Sequence, residues 1–79
     1  MTVTAYILLN VDMSTQNTVF EQVKKMEETR EVYMIFGAFD IIIKGEFFDN
    51  DQLSNFVVDK LKALPGILET QTNVCAAVP

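Results

Sequence analysis

The sequence predicts an α+β domain whose elements follow in the order βαββαβ, a four-stranded antiparallel sheet backed by two helices on one face. Three observations predict it. Apolar residues recur at a period of two in four segments. They recur at three- and four-residue steps in two further segments, one after the first strand and one before the last. The breaks fall on Asp, Asn, Gly and Pro. With 79 residues, 49% of them hydrophobic and 22% charged, the chain has room for one such domain, spanning 1–79, and no second.

The first strand runs from Val3 to Val11, with Val3, Ala5, Ile7, Leu9 and Val11 on one side and Thr4, Tyr6, Leu8 and Asn10 on the other. Asp12, Ser14 and Thr15 supply turn and cap oxygens for a helix over roughly residues 15 to 28, whose apolar positions are Val19, Phe20, Val23 and Met26. Lys24-Lys25 and Glu27-Glu28 read as its solvated face. From Glu31 the period returns to two, and Gly37-Ala38 reads as a tight hairpin into a third strand over Phe39 to Phe48. Asp49-Asn50-Asp51 caps a second helix with the stripe Leu53, Phe56, Val57, Leu61 and Leu64, and Pro65-Gly66 ends it. The last strand, Ile67 to Val78, sets Thr70, Thr72 and Val74 on one side and the amides of Gln71 and Asn73 on the other.

A domain this short buries only about 60% of its unfolded surface, so extra burial is expected from elsewhere. One cysteine, Cys75, permits no internal disulfide, and the absence of histidine excludes an imidazole-based zinc site. The sheet itself offers the remedy. Both sides of its strands carry bulky apolar groups, such as Leu8, Tyr33, Ile35 and Ile42, although helices cover only one face. Such a face is expected to pack on a second copy, giving a dimer through the sheet.

Six Lys plus Arg against eleven Asp plus Glu give a net charge of −5, and the cations Lys24, Lys25, Arg30, Lys44, Lys60 and Lys62 form no stripe. No direct nucleic-acid binding is expected of such a surface. The opening residues lack a basic start and a cleavable small-residue site, and the longest purely hydrophobic stretch falls far short of a membrane span. The protein is read as cytoplasmic, without membrane contact.

Catalytic equipment is not visible. The commonest general base is missing, Cys75 has no cation beside it, Asp49 and Asp51 sit where helix caps belong, and the three glycines are too scattered for a phosphate loop. No enzyme, cofactor or metal role is expected. Two places stand out: Asp40, a carboxylate beside apolar strand residues, and the Thr70-Gln71-Thr72-Asn73 run.

The segment Glu31-Val32-Tyr33-Met34-Ile35-Phe36-Gly37-Ala38-Phe39-Asp40-Ile41-Ile42-Ile43-Lys44, followed by Leu61-Lys62-Ala63-Leu64-Pro65-Gly66-Ile67-Leu68-Glu69-Thr70-Gln71-Thr72, resembles the effector domain of the Lrp/AsnC transcriptional regulators, the regulation of amino-acid metabolism (RAM) domain. The opening strand Ala5 to Val11 is typical of it too, so the resemblance spans Val3 to Val78. It implies the ferredoxin-like βαββαβ fold, homodimers joining into an octamer or similar ring, and a small-molecule effector such as an amino acid bound between dimers. Carried over by position, Gly37, Ala38, Phe39 and Asp40 would face the ligand, Asp40 meeting its ammonium group, while Thr70 and Thr72 would offer hydroxyls. Phe39 stands where the family often has tyrosine, so that phenol's hydrogen bond is lost. The family's regulators carry an N-terminal helix-turn-helix, whereas this sequence opens on the first strand. A stand-alone form is therefore expected, one that modulates full-length Lrp/AsnC regulators by co-assembly. The competing readings are a small dimeric α+β barrel enzyme and a ligand-free oligomerisation module.

Overall fold

The computed structural model describes residues 2–79. Strand β1, Val3–Val11, leads through a short 3₁₀ turn at Met13–Thr15 into helix α1, Gln16–Lys24. Strands β2, Thr29–Met34, and β3, Ile41–Phe47, follow, then helix α2, Asn50–Asn55, with a π-wound continuation over Phe56–Leu61, and strand β4, Ile67–Val74. The strands lie in the order β2-β3-β1-β4 and every neighbouring pair is antiparallel, as the element order predicts.

The core forms where the period-two face of β1 meets the helices. Ala5, Ile7 and Leu9 are fully buried with Ile41 and Ile43 of β3, and against them pack Val19 and Val23 of α1 and Leu53, Phe56 and Leu61 of the second helical segment. Phe47 and Phe56 meet with ring centroids 5.2 Å apart and planes tilted by 57°, an arrangement favoured by their ring quadrupoles. Phe56 and Leu61 are five residues apart and both buried, which an α-helix would set on different sides. The wider i→i−5 winding, marked by the Lys62 N–H reaching the Val57 carbonyl at 3.0 Å, turns both inward.

Asp49 caps α2 as expected, its carboxylate accepting the Gln52 N–H at 2.8 Å. Asp12 does the same for the 3₁₀ turn, and the Ser14 backbone and hydroxyl donors hold its carboxyl below the ordinary carboxylate value. Gly66 takes φ +84°, and a side chain there would run into Thr15, so the Leu-Pro-Gly turn admits only glycine at that point.

Several boundaries differ from the sequence expectation, among them the end of the second helical segment, at Leu61 rather than at Pro65-Gly66, and the start of β2, at Thr29 rather than Glu31. Helix α1 stops at Lys24 rather than near residue 28, because the chain tightens into i→i−3 turns: the Met26 N–H donates to the Val23 carbonyl at 3.0 Å and Thr29 N–H to Met26 at 3.1 Å. Consequently Glu28 is not part of a solvated helix face. It is 8% exposed, accepts Lys60 Nζ at 2.7 and 2.9 Å, and offers its carbonyl to the Glu46 N–H at 3.0 Å. The tight turn expected at Gly37-Ala38 is a six-residue loop, since β2 ends at Met34 and β3 begins at Ile41. It is closed by the Ile35 N–H donating to the Asp40 carbonyl at 2.9 Å, and Gly37 accepts the positive φ, +144°, that the loop requires. Strand β3 is correspondingly shorter than Phe39 to Phe48. Strand β4 ends at Val74, so Cys75 lies past the strand rather than inside it, its N–H donating to the Thr4 carbonyl at 2.8 Å.

The Glu28–Lys60 pair makes a pH prediction. Burial pushes the Glu28 carboxyl upward, but the hydrogen bond and charge of Lys60 outweigh it and the net displacement is downward from 4.5. A carboxyl lowered in the folded state adds stability in full above pH 4.5, and that contribution is lost as pH falls through the lower folded value. Urea midpoints measured from pH 7 to pH 3 should therefore fall with acid, and the Glu28→Gln chain should show a shallower fall. Equal slopes would remove this pair from the account.

Candidate functional site

Two surfaces hold the groups singled out from the sequence. The first is the sheet face opposite the helices, which strand register resolves into rows. Tyr33, Ile42, Leu8 and Gln71 lie side by side across β2, β3, β1 and β4, and beside them run Glu31, Lys44, Tyr6 and Asn73. Leu8 and Ile42 are half-buried, while Tyr6 is 40% and Tyr33 55% exposed. The expected apolar face is thus a stripe three strands wide with polar neighbours. Tyr33 donates its phenol to Glu31 Oε1 at 2.7 Å, and Lys44 Nζ stands 3.6 Å from the same carboxylate. That hydrogen bond raises the Tyr33 phenol; for Glu31 the phenol donor and the Lys44 charge outweigh desolvation and lower the carboxyl. Glu31 thus accepts from the Tyr33 phenol on one side and faces Lys44 Nζ on the other. A cavity of about 470 Å³ opens on this face between Tyr6, Lys44 and Glu46 and the segment from Cys75 to Pro79.

The second surface is the end of the sheet where β1 finishes. Gly37, Ala38, Phe39 and Asp40 are together in the β2–β3 loop, with Phe36 fully exposed at its start. Asp40 is tied down: its N–H donates to the Leu9 carbonyl at 2.9 Å and its Oδ2 accepts the Val11 N–H at 2.9 Å. One oxygen therefore stands in for a ladder acceptor beside the register shift at Asn10/Val11. The other, Oδ1, accepts no hydrogen bond among the described residues. This answers the cost of an acid in that setting, since a half-buried carboxylate with a backbone donor is compensated.

Thr70 and Thr72 pair with Leu9 and Ile7, so their side chains share the helix side of the sheet, and Gln71 and Asn73 take the other face, as the alternation requires. Thr70 is half-buried and Thr72 exposed, because cover by the helices thins out over this edge strand. Within one chain the loop and the threonines do not converge. Strand β1 separates β3 from β4, which places the Asp40 loop and Thr70 about 10 Å apart at the backbone.

Beside Thr70 lies a cavity of about 370 Å³ whose other lining residues are Lys62, Ile67, Leu68 and Glu69. Periodicity gives Lys62 and Glu69 no distinction, since each reads as a solvated charge. The signal that joins them is the Leu64-Pro65-Gly66 turn, which folds the end of the helical segment back onto the start of β4. Among the described residues no three His, Cys, Asp or Glu side chains gather as a metal ion would require, and no helix is long and apolar enough to cross a membrane.

These features define a class: an α+β domain with one helix-backed face, one bare and partly apolar face, and polar groups collected at one end of the sheet. The model of the Lrp/AsnC ligand binding domain matches residues 4–78, and the chain belongs to that family. An uncharacterized HTH-type transcriptional regulator of Pyrococcus abyssi is 34% identical over 74 residues, covering 90% of this chain and 49% of its own length. The chain spans about half the length of the curated relatives it matches. A hypothetical protein of Pyrococcus horikoshii has a solved structure with TM-score 0.87 and 30% identity, covering 96% of this chain and 92% of that one. A transcriptional regulator of Neisseria meningitidis, solved as its L-Met complex, superimposes with TM-score 0.88 at 21% identity over 95% of this chain and 50% of its own. The last shows a shared fold.

Proposed function

We propose that this domain is an amino-acid-responsive effector module of the Lrp/AsnC type, which assembles through its bare sheet face and binds a small ligand where protomers meet. The match of the ligand-binding domain model over residues 4–78 carries the reading. The Neisseria relative in complex with L-Met supports an amino acid as the ligand class. In that site Asp40 Oδ1 accepts from the ammonium group, Gly37 and Ala38 leave backbone N–H groups approachable, Phe39 provides an apolar wall, and Thr70 and Thr72 donate hydroxyls. The assembly is a homodimer, with dimers joining into a ring, and full-length Lrp/AsnC regulators are its partners in control of transcription.

Asp40→Asn tests the role of the loop, because it keeps an oxygen for the Val11 N–H while removing the charge. Isothermal titration against the twenty L-amino acids should show binding by the native chain. The variant should bind roughly ten- to a hundredfold more weakly with its melting temperature little changed, since a hydrogen bond to a charged group contributes about 1.5–3 kcal/mol. Unchanged affinity would take Asp40 out of the site, and flat traces for the native chain would remove the effector role itself.

A further inference from the structure

We infer that the cavity beside the C-terminal segment, on the bare face of the sheet, is a second binding site that takes a small apolar monocarboxylate. At about 470 Å³ it falls within the ~300–1,000 Å³ of small-molecule sites. Thr4 and Tyr6 of β1 and Lys44 of β3 line it on the sheet side, and Tyr6 and Lys44 are register partners. Alternation along β1 turns Thr4 and Tyr6 away from the helices and toward this space. The opposite wall is apolar, formed by Ala77, Val78 and Pro79. The Cys75 N–H, donating to the Thr4 carbonyl at 2.8 Å, fastens the segment where it leaves β4.

The polar groups of the lining lack partners of their own. Thr4 is only 9% exposed, yet its hydroxyl makes no hydrogen bond among the described residues, and an acceptor oxygen in the cavity would recover that loss. The Tyr6 phenol makes none either. Lys44 Nζ, 3.6 Å from Glu31, is within reach of its charge but outside hydrogen-bond distance. Two hydroxyls and an ammonium suit a carboxylate. Glu46 at the rim, held by Arg30 Nε at 3.0 Å, and Glu31 behind Lys44 leave no surplus of positive charge for a second anionic group. The site therefore selects a monocarboxylate with a short branched body over a dicarboxylate, and over its own amide. It stands apart from the Asp40 loop, whose bond to the Leu9 carbonyl lies toward the other end of β1, and Thr4 is about 13 Å along that strand from Leu8.

Isothermal titration of the native chain with 3-methylbutanoate, 3-methylbutanamide and succinate tests this. The acid should bind roughly tenfold or more tightly than either its amide or succinate. Thr4→Val and Tyr6→Phe keep the shape of the lining and remove one hydroxyl each, so each should weaken the acid by roughly tenfold, with a thermal melt verifying the fold. Asp40→Asn should bind the acid as the native chain does. If the native chain takes up none of the three compounds at millimolar concentration, or if the folded hydroxyl variants bind the acid as tightly as it does, the site is overturned. Equal binding of the amide or of succinate overturns the class of ligand, and loss of the acid by Asp40→Asn places it elsewhere. None of these results touches the effector reading, which titration with the twenty amino acids decides.

Discussion

Phe56→Ala should cost the protein a large part of its folding stability. Phe56 is 1% exposed, its ring meets Phe47 at 5.2 Å, and it stands where α2 widens into the π-wound turn. Removing a buried aromatic costs about 3–5 kcal/mol, through lost transfer energy and the cavity left behind. A chain of 79 residues has about 4–12 kcal/mol in total. Urea unfolding followed by far-UV dichroism should place the midpoint of the variant well below the native value. A loss below about 1 kcal/mol would mean that this ring does not anchor the second helical segment to the sheet. Val58→Ala, at a 54% exposed position of the same turn, should move the midpoint little and serves as the control.

Leu8→Arg should dissociate the proposed dimer without unfolding the protomer. Leu8 lies in the middle of the bare face, beside Ile42 and in the row that begins at Tyr33 and ends at Gln71. In a single protomer the new side chain points away from the helices at a half-buried strand position, where preferences among residues span about 1 kcal/mol. In a face-to-face dimer the guanidinium would be buried without a partner. Central interface positions lose about 2–4 kcal/mol on disruption, which corresponds to about 30- to 1,000-fold in dissociation constant. Sedimentation velocity across a concentration series should show the native chain associating and the variant as a protomer near 9 kDa. Identical association of the two chains would place the contact elsewhere on the molecule. The same substitution should make the melting temperature less dependent on protein concentration, because association stabilises the folded state by mass action.

The element order was legible because each element's burial repeats in its sequence. The alternation in β1 recurs in the structure as buried Ala5, Ile7 and Leu9 against outward Tyr6 and Leu8, and the stripe Leu53, Phe56 and Leu61 is the buried face of the second helical segment. Boundaries were less legible where a tertiary partner decides them. Nothing local to Glu27-Glu28 foretells that Glu28 will pair with Lys60, 32 residues on. The π winding likewise answers a demand of packing that an α-helical period does not encode. Within the site, the resemblance singled out Asp40 as facing a ligand, yet its bond to Val11 arises from a strand that lies 29 positions earlier. The bare face was readable as apolar on both sides of the strands. Its division into a row of Tyr33, Ile42 and Leu8 and a row of Glu31, Lys44 and Tyr6 depends on register, which single-strand patterns leave open.

Assembly and effector binding together form the central claim, and native mass spectrometry of the chain with an equimolar mixture of the twenty L-amino acids tests both at once. The expected result is an even-numbered oligomer built from dimers, carrying bound amino acid at no more than one molecule per protomer. A protomer without adducts across the whole concentration range would contradict it.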